Sequence, residues 1–197
     1  MNDQPAISKA SLRALCRAQR AALKPEARRI FAVTFAQRFL QHIEVEGKTI
    51  ACYWPTGDEM DARLLLDRLE ARSITCCLPV SDEETYTLAF HRWDLTTPMI
   101  NGPHHIAMPD PRYSKIMIPD IIVVPLLGFD STGHRLGYGA GYYDRTLAQL
   151  REQKHKFLTV GAAYACQQLD TIPADEHDVP LDMIITEEAV MDCRSTS

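Results

Sequence analysis

No stretch of the 197-residue chain approaches the roughly 20 consecutive apolar residues of a membrane-spanning helix, and the opening MNDQPAISKASLR lacks the apolar segment of a signal peptide. Both absences lead us to expect a cytoplasmic protein with no membrane partner. Positive charge is also scarce. With 21 lysines and arginines against 26 acids the net charge is −5, so the molecule as a whole offers no attractive field to a polyanion, and nucleic acid is not expected as a partner. Among the six cysteines (Cys16, Cys52, Cys76, Cys77, Cys166 and Cys193) there is no C-x-x-C pair and no Cys/His cluster at zinc spacing. They read as reduced, mostly buried thiols, and the adjacent Cys76 and Cys77 as small hydrophobes of a strand. Internal repeats and low-complexity stretches are absent too. What remains is an ordinary globular balance, 46% apolar and 24% charged, at a length that suits one domain. Residues 1–197 are therefore read as a single domain, expected to be a monomer.

Periodicity gives the elements. Ser8 to about Leu23 places Leu12, Leu15, Ala18 or Gln19 and Ala22 on one stripe and Lys9, Arg13, Arg17 and Arg20 on another, which predicts an amphipathic helix with a basic face. Pro25 suits the first turn of a second helix running to about His42, with Phe31, Phe35 and Phe39 turned inward. TIACY at 49–53 predicts a strand, WPTGDEMD a turn, and ARLLLDRLEARS a helix with Leu64, Leu65 and Leu69 at helical spacing and Asp61 as its N-cap. Strands are predicted over 75–80, 87–93, 120–125, 157–163 and 183–186, and a helix over 141–153. Residues 94–119 carry Pro98, Pro103, Pro109, Pro111 and Pro119, and are expected to be a long surface connection that walls a pocket rather than regular structure. Alternating strands and helices with buried apolar strands argue for an α/β fold, a mostly parallel sheet covered by helices on both faces.

The segment VVPLLGFDSTGHRLGYGAGYYDR, residues 123–145, has the order buried strand, turn, glycine loop, helix. Gly137, Gly139 and Gly141 alternate, which lets the backbone approach a ligand, and the helix that follows points its unpaired N–H groups at the same spot. A phosphate is the natural occupant. The Gly-Lys-Ser/Thr of a P-loop is missing, and the third glycine arrives one residue early for G-x-G-x-x-G, so spacing alone leaves a plain turn open. Arg135 and Arg145 flank the loop with forks suited to phosphate oxygens, and Asp144 suits a Mg²⁺ that bridges phosphates.

GFDSTGHRLGYGAGYYDR at 128–145 is the core of a resemblance that spans nearly the whole chain. It is joined by Lys9-x-x-x-Arg13, by Asp58-Glu59-Met60-Asp61, and by His177-Asp178 with Asp182. In these motifs and their order the chain resembles the 5-formyltetrahydrofolate cyclo-ligase (5,10-methenyltetrahydrofolate synthetase) family. The resemblance implies a three-layer α/β sandwich. It also implies an ATP-dependent closure of 5-formyltetrahydrofolate to 5,10-methenyltetrahydrofolate with ADP and phosphate as products, the formyl oxygen being phosphorylated on the way. Such a reaction asks for positioning and charge neutralisation more than for a nucleophilic side chain.

Carried over by position, the resemblance implies ATP contacts at Lys9 and Arg13 and a nucleotide loop of Arg135, Leu136, Gly137, Tyr138, Gly139, Ala140, Gly141, Tyr142 and Tyr143. Arg135 and Tyr142 are the implied catalytic residues, while Trp54, Glu59, Tyr138 and Tyr142 face the folate. Asp144 and Asp178 match the Mg²⁺ ligands, so the expected cofactors are ATP and Mg²⁺. Tyr53, Leu88 and Ile106 read first as core packing and second as a pterin wall. Some members carry basic residues where this chain has Tyr138 and Ala140, and His134 and His177 are candidates to compensate. Two other readings stand beside this one: a phosphosugar isomerase or deaminase that uses the loop without ATP, and a non-catalytic folate- or nucleotide-binding regulator.

Overall fold

The computed structural model describes residues 8–175 and 178–194. Helix α1 (Lys9–Ala21) begins where the Ser8 side chain accepts from the Ser11 N–H, and α2 (Pro25–His42) begins on its proline, which needs no N–H at that position. Phe35 and Phe39 of α2 are fully buried, as are Ala32 and Ala36 on the same helix, and Phe31 packs its ring 6.1 Å from that of Tyr164. Helix α3 (Arg63–Glu70) buries Leu65, Leu66 and Leu69. Its N-cap is Ala62 and not Asp61, whose carboxylate instead accepts the Arg63 N–H from one residue further out and pairs with the Arg63 side chain. Helix α4 spans Tyr142–Glu152.

The strands are β1 (Thr49–Ala51), β2 (Thr75–Asp82), β3 (Thr87–Trp93), β4 (Met99–Asn101), β5 (Ala107–Pro109), β6 (Ile121–Pro125), β7 (Gly128–Phe129), β8 (Arg135–Leu136), β9 (Leu158–Ala162), β10 (Met183–Ile185) and β11 (Val190–Asp192). Seven of them form one sheet in the order β11-β10-β9-β6-β1-β2-β3. The five central strands run parallel, and the antiparallel β3 and β11 close the two edges. Period-two alternation sends Ile50, Cys76, Val123 and Val160 into the core shared with α2 and α3, and Ala51, Cys77, Ile122 and Val124 into the one shared with Leu147 of α4. Helices therefore cover both faces, as the buried apolar strands predict. Among the described residues no helix is long and apolar enough to cross a membrane.

The chain winds from β1 outward to β2 in one direction, then returns to β6 on the other side of β1 and continues through β9 and β10. The order reverses between β1 and β6, which are hydrogen-bonded neighbours with Ile50 opposite Ile121. In open α/β sheets such a reversal leaves a crevice at the carboxyl ends of the two strands.

Two further expectations are corrected. Helix α1 buries Leu12, Cys16 and Arg20, while Leu15 is 48% exposed. Two stripes of comparable width lie on this helix, and the packing partners (Leu136 and Ile172 at Leu12, Gly128 at Cys16) select the one between them. Residues 94–119 are not wholly irregular, because β4 and β5 pair as a hairpin closed by the Gly102 N–H on the Ile106 carbonyl, 2.9 Å. β4, β5, β7, β8 and β11 have two or three residues, too few to show a period, and escape the sequence reading, which found only β1 and β10 among strands that short.

Candidate functional site

From the end of β6 the chain makes a tight antiparallel ribbon, β7 against β8, and then enters the glycine loop. The turn of that ribbon is built by Asp130, whose carboxylate accepts from Thr132 and from the His134 N–H. Its effect is to turn Arg135 inward. The guanidinium is buried, donating to the Val179 carbonyl and, at 2.6 Å, to Asp144 Oδ1. Burial pushes Arg135 down from its ordinary value, and the charges of Asp144 and Asp178 oppose the shift. Gly139 and Gly141 have φ of +110° and +73°, a region that side chains with a Cβ rarely adopt. Gly141 is the N-cap of α4 and supplies no side-chain cap, so the first N–H groups of the helix face the cleft with its positive dipole end. Thr146 ties α4 down, donating to the Tyr142 carbonyl and accepting from the Leu88 N–H of β3.

The basic residues of α1 reach separate walls of this cleft. Lys9 Nζ donates to Asp175 at 2.5 Å and to Asp178 at 2.7 Å, and Arg13 Nε donates to the Gly137 carbonyl at 2.9 Å. Arg13 also stands beside Gly139, and Arg145 folds back to the Ala140 carbonyl at 2.8 Å. Two arginines thus lie against the loop whose positions 138 and 140 lack a basic residue. His134 bonds within its own turn, to Thr132, and is not part of the cleft wall; His177 lies outside the described residues.

The opposite wall is the turn that leaves β1. Glu59 Oε2 accepts the Thr56 N–H at 2.7 Å, its own N–H bonds the Thr56 carbonyl, and its carbonyl accepts from Tyr164 Oη at 3.0 Å. Tyr53 Oη donates to the Met60 carbonyl at 2.6 Å. The carboxylate is thereby held towards the cleft. Trp54 rests between Trp93, with ring centroids 6.3 Å apart, and the Arg63 guanidinium. Burial first and the Glu59 charge second raise the hydroxyls of Tyr53, Tyr138 and Tyr143, which stay protonated donors. Tyr143 Oη is buried without a partner among the described residues.

Together these walls enclose a cleft of about 1560 Å³. Every site residue anticipated from the sequence lines it: Lys9, Arg13, Trp54, Glu59, Arg135 through Asp144, and Asp178. Leu136 does so from a side chain otherwise buried with Leu12 and Ile172. Tyr53, Leu88 and Ile106 line it as well, Ile106 together with Pro103, His104 and Met108 of the β4–β5 hairpin. Asp182 has a different duty, accepting from the Thr159 N–H and hydroxyl across the sheet. Missed from the sequence were Thr56, Asp175 and Arg20, the last because a helix face rich in arginine looks like a solvated one.

Among the described residues no three His, Cys, Asp or Glu side chains converge into a metal cage. The donor set nonetheless fits Mg²⁺, which takes one or two carboxylates together with phosphate oxygens and water. Asp144 commits Oδ1 to Arg135 and Asp178 commits Oδ2 to Lys9, and the second oxygen of each has no hydrogen-bond donor among the described residues.

Comparison with known proteins identifies the family. A model of the 5-formyltetrahydrofolate cyclo-ligase family matches residues 5–187. The 5-formyltetrahydrofolate cyclo-ligase of Haemophilus influenzae is 36% identical over 140 residues, 69% of this chain and 74% of that protein. The Escherichia coli K12 protein of the same name is 28% identical over 183 residues, 89% of this chain and 98% of that one. Among solved structures, the 5,10-methenyltetrahydrofolate synthetase of Aquifex aeolicus superposes with a TM-score of 0.81 at 29% identity, covering 97% of this chain and 95% of that one.

Proposed function

The chain belongs to the 5-formyltetrahydrofolate cyclo-ligase family, and from that premise we propose that its cleft holds ATP and 5-formyltetrahydrofolate side by side. The activity is the ATP-dependent closure of 5-formyltetrahydrofolate to 5,10-methenyltetrahydrofolate with release of ADP and phosphate. Family membership sets aside the isomerase and regulator readings. The observation that carries the joint site is the cleft itself: about 1560 Å³, against the roughly 300–1,000 Å³ usual for one small ligand. One end is cationic and rich in backbone N–H groups; the other is walled by Trp54, Ile106 and Met108.

A formyl oxygen leaves poorly. Moving the γ-phosphoryl onto it lets it depart as phosphate once the neighbouring folate amine attacks the formyl carbon, and this transfer needs placement and neutralised charge. Lys9, Arg13 and Arg135 neutralise the phosphates, and Leu136 through Tyr143 with the α4 N-terminus cradle them. Glu59 accepts hydrogen bonds from the pterin N–H groups while Trp54, Tyr138 and Tyr142 pack on the folate. Arg135 and Tyr142 line the same cleft and are assigned to the reacting oxygens. Asp144 and Asp178 would hold Mg²⁺, which when bound supplies positive charge to the phosphate oxygens. Residues 1–197 act as one domain and as a monomer in the cytoplasm.

The protein mixed with 5-formyltetrahydrofolate, ATP and Mg²⁺ should develop the new absorbance of the methenyl product. Glu59→Gln should raise the folate KM about tenfold or more, the worth of a hydrogen bond to a charged group, with the ATP KM nearly unchanged. If both KM values rise together, Glu59 does not belong to the folate wall.

A further inference from the structure

Arg20 belongs to none of the groups assigned above to ATP, folate or metal, yet it is the most deeply buried cation of α1, 6% exposed. A guanidinium is costly to bury unless its donors are matched. Here they are. Nε and Nη2 donate to Asp58 Oδ1 at 2.8 and 2.7 Å, Nη1 donates to Tyr138 Oη at 2.7 Å, and the guanidinium carbon lies 5.7 Å from the centre of the Tyr138 ring.

The two partners sit on different walls. Asp58 immediately precedes Glu59 in the turn that leaves β1, and Tyr138 is the residue between the first two glycines of the loop that follows β8. Because Tyr138 Oη accepts from Arg20, its own proton is free to point elsewhere, and the Glu59 carboxylate is within reach. Arg20 therefore touches Glu59 twice over, through its chain neighbour and through Tyr138. Packing alone does not ask for this, since Leu12 and Cys16 already seat the helix. What an arginine adds, and an apolar or ammonium side chain does not, is a planar fork whose N–H directions fix oxygens from two loops relative to each other.

We propose that Arg20 is a positioning residue that registers the Asp58–Glu59 turn against the glycine loop through Tyr138, so that a ligand ordering one wall pre-organises the other. The inference rests on the assignment of folate to the Glu59 wall, with Tyr138 and Tyr142 packed on it, and of the nucleotide phosphates to the glycine loop. Its consequence is thermodynamic and reciprocal: the nucleotide tightens folate binding, and the folate tightens nucleotide binding by the same factor.

The test is equilibrium binding of 5-formyltetrahydrofolate with and without a non-hydrolysable ATP analogue, and the converse titration, on the whole protein. In the unaltered protein each ligand should tighten the other by about fivefold or more. Tyr138→Phe removes one hydroxyl and keeps the ring, while the ion pair with Asp58 still holds the Arg20 guanidinium; it should bring that factor close to one. Arg20→Lys, which keeps the charge and loses the fork, should do the same, and the double variant should be no worse than either single one. Survival of the mutual effect in Tyr138→Phe, additive losses in the double variant, or absence of the effect in the unaltered protein each overturns the proposal. Failure of the unaltered protein to bind either ligand overturns instead the ligand assignment beneath it.

Discussion

Asp178 shows how one carboxylate is set by its surroundings. Burial alone raises it, but the hydrogen bonds from Lys9 and the Asp175 N–H, with the charges of Lys9 and Arg135, outweigh burial and hold it below its ordinary 3.8. A group depressed in the fold contributes stability that is fully present above its unfolded value and fades as pH falls through the lower folded one. The pair is partly exposed, with side chains 22% and 24% accessible, so the contribution is at most about 1 kcal/mol. Asp178→Asn should therefore unfold at a slightly lower urea concentration than the unaltered protein at neutral pH, and the gap should close below pH 3.8. A gap unchanged by acid would mean that the Lys9 pair adds nothing to stability. The place of Arg135 beside the glycines made it a candidate phosphate ligand in the sequence. Its burial and its bonds to Asp144 and Val179 were not, because both partners arrive from later in the chain.

Among the elements, the glycine loop divides into positions that shape the backbone and positions that leave room. A Cβ at Gly137 meets nothing within 4 Å and its backbone is not left-handed, so the space beside it is cleft. At Gly141 a Cβ would face the Arg145 Nη1 at 2.5 Å, a flexible end that can move, but φ of +73° remains strained for any side chain. Gly137→Ala should leave the unfolding free energy within about 0.5 kcal/mol while raising the ATP KM. Gly141→Ala should lower the unfolding free energy by about 1–2 kcal/mol as well as weakening ATP. Equal effects of the two on urea unfolding would contradict this division. Helix α1 carries a related lesson. Its periodicity was plain in the sequence, but which stripe turns inward was decided by Leu136, Ile172 and Gly128, all more than a hundred residues away.

For the molecule as a whole, the reversal of strand order between β1 and β6 opens the crevice, and α1 lies across it with cations on each side. Ligand binding should then stabilise the helix that spans both walls. ATP at a hundred times its Kd should raise the unfolding free energy by about 2.7 kcal/mol, and hydrogen exchange should slow in Lys9–Ala21 beyond what the distant β11 shows. Uniform slowing across the chain would assign the gain to global stability and not to α1 as the bridge.

The longer elements and the glycine loop were determined by the sequence alone, because periodicity and backbone freedom are local properties written within a few turns of chain. The family was legible for a related reason: GFDSTGHRLGYGAGYYDR packs a turn, two arginines, five glycines and two carboxylates into eighteen consecutive positions. Tertiary structure decided what depends on long separations. It paired the two- and three-residue strands, turned Arg20 from an apparent surface charge into a buried fork, and sent Asp182 to the sheet while bringing Asp178 to Lys9. A charged side chain is either solvated or matched, and the match is made by groups the local sequence does not contain.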